Sequence, residues 1–180
     1  DPCVAMCEIS NENDLFVDTA GRRKDYVEPT YYTNEFRQMF KAWLEEKGIE
    51  YDWENCNLGE KVHPIIDWKL EVTMAYYQEM YDYMRSIGVK IPITGTNWTI
   101  APILQKTQLC TDFIDSHTYY YDWKWGEFEK HCMNKAITHT PTLGVQSMAL
   151  CTAADKPTYI SEWDMPWPNE FRAEASIHCA

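Results

Sequence analysis

Four short apolar runs, each ending in a polar cluster and separated by helix-patterned sequence, constrain this chain more than any other feature. Val4-Ala5-Met6-Cys7-Glu8-Ile9 leads into Ser10-Asn11-Glu12-Asn13-Asp14, and Val89-Lys90-Ile91-Pro92-Ile93-Thr94 leads into Gly95-Thr96-Asn97-Trp98. Asp112 to Tyr119 and Pro157 to Trp163 repeat the pattern. Runs of this length and composition read as buried parallel strands, expected near 3–11, 89–95, 112–119 and 157–162. Between them, Phe36, Met39, Phe40, Trp43 and Leu44 recur at helical spacing from Asn34 to Lys47, and Gly48 follows as a stop. A longer helix is expected from Pro64 to Ile87, with Ile65, Trp68, Val72, Ala75, Tyr76, Met80 and Tyr83 on its apolar face and Gly88 at its end. A short helix over Ala101 to Leu109 and another starting within Asn169 to Cys179 complete the alternation, and 120–142 reads as an aromatic-rich loop.

Strands separated by helices imply an α/β fold with right-handed parallel crossovers. All four strands deliver their polar residues at the C-terminal end, which is where a (β/α)₈ barrel keeps its active site.

The balance of charge narrows the partners. Lys and Arg number 16 against 28 Asp and Glu, a net charge of −12. That field repels phosphate backbones and anionic headgroups, so neither nucleic acid nor membrane is expected as a partner. No stretch approaches the ~20 apolar residues that span a bilayer. Eight Trp and 12 Tyr suit the stacking of sugar faces as well as core packing. Seven cysteines match no disulfide framework. On a strand, Cys3 and Cys7 would lie roughly 13 Å apart. One zinc ion bonds sulfur at about 2.3 Å, so the two are expected to be buried free thiols. No metal or cofactor site is assigned.

Two glutamates stand out, each at the end of an expected strand: Glu12 in Ser-Asn-Glu-Asn and Glu162 in Ile-Ser-Glu-Trp. Cleaving a glycosidic bond with retention needs two carboxyl groups about 5–5.5 Å apart, one protonated and one ionised. Mutual repulsion of such a pair supplies the asymmetry. Glu8 shares the strand parity of Glu12 and is expected to form a paired charge inside the sheet.

These motifs, in this order, resemble glycoside hydrolase clan A, the superfamily that includes the cellulase-like family 5 enzymes. Ser10-Asn11-Glu12-Asn13 is similar to the end of that clan's fourth barrel strand, and Pro92 to Asn97 to its fifth. His117-Thr118-Tyr119 resembles the His-x-Tyr of the sixth, and Ser161-Glu162-Trp163 the end of the seventh. The resemblance implies a retaining hydrolase of β-linked oligo- or polysaccharides, with Glu12 as general acid/base and Glu162 as nucleophile. It further implies that Asn11 binds the sugar 2-hydroxyl, that Tyr119 donates to Glu162, and that His117 contacts substrate or buttresses the site. Asn97, Trp98 and Trp163 are implied substrate contacts. A secreted or periplasmic location is the family-level expectation.

A whole (β/α)₈ barrel takes about 250 residues. The resemblance therefore makes residues 1–180 a single incomplete catalytic domain, a partial barrel covering strands four to seven, with strands one to three and eight expected in the parent chain. Two other readings compete. A non-catalytic, carbohydrate-binding barrel relic would not need a buried carboxylate pair. A metal-dependent hydrolase would draw several His and Asp ligands from strand ends, and only His117 with Asp115 answers to that.

Overall fold

The computed structural model describes residues 2–16, 31–98, 101–120, 134–139, 149, 152–165, 167 and 169–179. The loop expected at 120–142, and a further helix that the sequence suggests before Lys156, fall largely outside these residues. Within them the chain is mixed α/β. Strand β1 (Cys7–Ser10) is followed by helices α1 (Tyr31–Lys47) and α2 (Ile65–Ser86), then β2 (Ile93–Thr96) and the short helix α3 (Pro102–Lys106). Strand β3 (Ile114–Tyr119), a 3₁₀ turn (Ile137–His139), β4 (Thr158–Asp164) and α4 (Glu174–Cys179) complete the order. No described helix is long and apolar enough to cross a membrane.

The strands pair in parallel as expected, but they do not form the single four-stranded sheet expected from sequence. β1 pairs with β2 and β3 with β4, giving two two-stranded sheets. The seam between β2 and β3 has a physical cause. On the side of β2 that faces β3, the amides that would enter a ladder are taken by side chains. The Asp112 carboxylate accepts from Ile93 N at 2.6 Å, and Gln108 Oε1 accepts from Gly95 N at 2.7 Å. Asp112 N to Ile93 O, at 2.9 Å, and Thr94 Oγ1 to Phe113 O, at 3.0 Å, also cross to the segment leading into β3. An isolated bridge between Trp98 and Ser116 closes the upper end. Ile93 N and Gly95 N of β2 are thus satisfied at the seam without a strand ladder.

The apolar stripe of α1 packs as its spacing demands. Phe40 and Leu44 are buried against Ile65 and Trp68 of α2, with Phe36, Trp43, Tyr51 and Val72 around them. Met39, expected on this face, is exposed instead. α2 buries Ile65 and Trp68 and half-buries Val72 as its apolar residues suggest, but its main buried row runs Ile65, Lys69, Thr73 and Tyr77 at i, i+4 spacing, continued by Tyr81 and Arg85. Tyr76 and Tyr83, expected inside, are exposed. Hydrogen bonding chose the rotation. Tyr77 donates to Asn13 O at 2.9 Å, and Tyr81 donates to Asp112 at 2.8 Å. Arg85 donates to Val89 O and Ile91 O, each at 2.8 Å, and pairs with Asp112. The helix thus ties down both the turn after β1 and the approach to β2. A purely apolar face would leave those groups unpaired, at a cost of about 1–3 kcal/mol each.

A second cluster lies behind β3 and β4, where Tyr120, Ile137, Met165 and Ala175 are buried. Cys3 is exposed and precedes β1, and Cys7 is half-buried, so the expected buried pair of thiols does not form.

Candidate functional site

The C-terminal ends of β1, β2, β3 and β4 bring Glu12, Asn97, His117, Tyr119 and Glu162 together. His117 lies at the centre. Its side chain is 2% exposed, and Nδ1 stands 2.9 Å from Glu12 Oε1. On the other edge of the ring, Nε2 lies 3.3 Å from Glu162 Oε1, without the alignment of a hydrogen bond. Each glutamate side chain is 44% exposed, so both carboxylates face solvent while leaning on a buried imidazole. One oxygen of Glu12, one of Glu162 and one nitrogen of His117 all lie within 4.8 Å of one another. The Tyr119 hydroxyl donates to the other oxygen of Glu162, which stabilises negative charge there.

A β-bulge aims Glu162. Below it Ser116 is in register with Ile160; above it His117 is in register with Glu162, so Ser161 is the extra residue. Unbroken pairing would set Ser161 opposite His117. The bulge turns Glu162 onto the face that carries His117 and Tyr119, a use of bulges that recurs beside functional sites. The amide of the bulged residue is not orphaned, because Asp115 Oδ1 accepts from Ser161 N at 2.9 Å. Asp115 shares the strand parity of His117 and Tyr119, which is the signal in the sequence that marks it as part of this face.

Glu12 is held by backbone conformation. Its φ is +45°, the only positive value at a non-glycine residue among those described. A side chain in this left-handed region costs of order 1–3 kcal/mol unless the surroundings hold it. Asn97 Oδ1 accepts from Glu12 N at 2.8 Å, and Thr96 Oγ1 accepts from Asn13 N at 3.4 Å.

Several sequence expectations change here. Asn97 is not exposed to a substrate; it is 2% exposed and bonded internally. Its Nδ2 donates to Asn11 Oδ1 at 2.7 Å and its backbone N donates to Glu8 Oε1 at 3.1 Å. Asn11 is exposed beside Glu12. Trp163 follows Glu162 and so faces the other side of β4. Its ring packs on the cluster of Tyr120, Ile137, Met165 and Ala175, with its indole donating to Ala175 O at 3.0 Å. Trp98 is half-buried near the seam, and its indole N–H has no hydrogen-bond partner among the described residues.

The paired charge expected at Glu8 is not seen among the described residues, where its carboxylate accepts from Asn97 N–H. Glu8 lies below Glu12 facing the buried Asp115, and burial pushes its carboxyl above the ordinary range, with the Asp115 charge adding to the effect. Burial likewise raises Asp115, which the Ser161 hydrogen bonds and the nearby His117 oppose. His117 is therefore ringed by carboxyl groups from two levels of the strands.

Glu12, His117 and Glu162 are also the one set among the described residues whose donor atoms converge closely enough to suggest a metal site. The two carboxylates approach different ring nitrogens, however, and a single ion takes only one nitrogen of an imidazole. Glu12 meets one edge of the ring in a hydrogen bond, and Glu162 approaches the other edge. Comparison of the chain with family models, with curated proteins and with solved structures finds no match.

Proposed function

We propose that this chain carries the two-carboxylate centre of a retaining glycoside hydrolase acting on β-linked oligo- or polysaccharides. The observation that carries this reading is the approach of Glu12 and Glu162 to within 4.8 Å at the C-terminal ends of parallel strands. That separation suits direct attack, which needs carboxyl groups about 5–5.5 Å apart, rather than inversion through a water, which needs roughly 6.5–9.5 Å. The same placement supports reading the two parallel pairs as an arc of a (β/α)₈ barrel, strands four to seven.

In the first step Glu162 attacks the anomeric carbon while Glu12 gives its proton to the departing glycosidic oxygen. In the second, Glu12 takes a proton from water, which attacks the same carbon and releases Glu162. Tyr119 supports the ionised nucleophile. His117 hydrogen-bonds Glu12 through Nδ1 and sets its other ring edge beside Glu162. Asn11, exposed beside Glu12, is placed to meet a sugar hydroxyl. A binding relic without catalysis would have no use for a bulge that turns a carboxylate toward its neighbour.

The test uses two variants of the complete parent protein, since the partial barrel alone is expected to be inactive, and added azide. Glu162→Ala should abolish turnover, with azide giving a glycosyl azide of inverted configuration. Glu12→Ala should spare substrates whose leaving group needs no proton, with azide giving the retained product. Ordinary turnover surviving both substitutions would overturn the reading.

A further inference from the structure

We propose that Asn97 is a positioning residue that holds Glu12 in its left-handed backbone conformation and thereby fixes the direction in which the Glu12 carboxylate meets Glu162. The inference rests on Glu12 acting as acid/base, and it gives β2 a part in catalysis without a residue that touches substrate.

A glutamate has no intrinsic reason to adopt φ +45°. Left to itself, the residue would relax to the extended or right-handed region, and its Cα–Cβ bond would swing away from the cleft. Two neighbours at the end of β2 prevent this. Asn97 Oδ1 takes the Glu12 amide at 2.8 Å, and Thr96 Oγ1 takes the next amide, Asn13 N, at 3.4 Å. Tyr77 pins the far side of the turn through Asn13 O at 2.9 Å. Of these, Asn97 alone bonds Glu12 itself. Asn97 is in turn fixed by its bonds to Glu8 Oε1 and Asn11 Oδ1, and its 2% exposure leaves the amide no alternative partner in solvent. A side chain so committed sets geometry; it does not bind sugar.

The experiment compares two aryl β-glycosides of one sugar, chosen by screening glucosides, galactosides, mannosides and xylosides. One carries a 2,4-dinitrophenyl leaving group, which departs without a proton, and the other a 4-methylphenyl group, which needs one. The readout is kcat/KM, which reports the glycosylation step alone. Asn97→Ala should lose at least about tenfold more on the 4-methylphenyl substrate than on the 2,4-dinitrophenyl one, in the same direction as Glu12→Ala. An equal loss on both, while Glu12→Ala remains selective, would make Asn97 a general structural residue and overturn the proposal. Asn97→Asp keeps the acceptor for the Glu12 amide, and Asn11 can turn its own amide to donate. This variant should hold the wild-type ratio of the two substrates, and an acid-deficient ratio would overturn the proposal even if Asn97→Ala fails to fold. Loss of selectivity in Glu12→Ala itself would instead sink the acid/base reading, and this proposal with it.

Discussion

Burying carboxyl groups beneath the proposed catalytic pair costs stability, and the residues of this site show where that cost falls. Glu8 is raised by burial first and by the Asp115 charge second. A raised acid contributes stability fully below its unfolded pKa and loses it as pH climbs through the folded value. At neutral pH an ionised Glu8 therefore opposes folding. Glu8→Gln keeps an oxygen to accept from Asn97 N–H, held at 3.1 Å in the native chain, and removes the charge. The variant should unfold at higher urea than the native protein at about pH 7, with the difference closing toward about pH 4, where the native carboxyl is protonated in both states. An advantage independent of pH would mean that the gain comes from something other than charge. Glu12, His117, Tyr119 and Glu162 were legible as candidates because their residue types and strand-end positions carry chemistry. The work of Asn97 was not, because nothing local in Gly-Thr-Asn-Trp says that its amide faces a residue 85 positions earlier.

Elements are held together here by close approach as much as by apolar burial, and Gly95 on β2 is the tightest point. Its amide donates to Gln108 Oε1 at 2.7 Å, and Ser10 Oγ donates to its carbonyl at 3.1 Å. A Cβ added at Gly95 would come within 3 Å of both Gln108 Oε1 and the Tyr77 ring. Both neighbours are buried, and both already make the bonds that bridge β1, α2 and β2. Gly95→Ala should therefore destabilise the fold by roughly 1–3 kcal/mol, read as a lower urea midpoint with an unchanged slope. A neutral result would show that α2 can slide away from β2 without loss. The β4 bulge is the other device at this scale. Alternation alone puts Glu162 on the face of Ile160, and only the extra residue Ser161, its amide held by Asp115, turns it to His117.

At the scale of the molecule, α2 packs a lysine inward. Lys69 is 2% exposed, and burial lowers its pKa from 10.5 to about 8, with the nearby Asp14 opposing the shift. Below about pH 8 the lysine is charged in both folded and unfolded states, and the whole burial penalty is present. Between about pH 8 and 10.5 the unfolded chain binds more protons than the folded one, so this group's contribution to stability rises with pH, by roughly 3 kcal/mol across the window. Lys69→Met removes the titration. The stability of the native protein relative to this variant should move in the native protein's favour from about pH 8 to about pH 10.5. Taking the difference cancels the tyrosines and cysteines that titrate in the same range. A flat difference would place the ammonium in contact with water.

Periodicity and chain order alone determined that four strands alternate with helices, that the strands run parallel, and which polar residues collect at their C-terminal ends. Those properties follow from local backbone preference and from the handedness of crossovers, and both are written along the chain. Three matters were decided only by the tertiary structure. The seam between β2 and β3 depends on Asp112 and Gln108 reaching amides that a ladder would otherwise use. The rotation of α2 depends on which of its hydroxyl and guanidinium groups find partners on the strands and turns. The left-handed turn at Glu12 depends on a carbonyl supplied by β2. Each of the three rests on hydrogen bonds that reach between elements, most of them between residues far apart in sequence, and a pattern of apolar residues does not encode where a distant donor will find its acceptor.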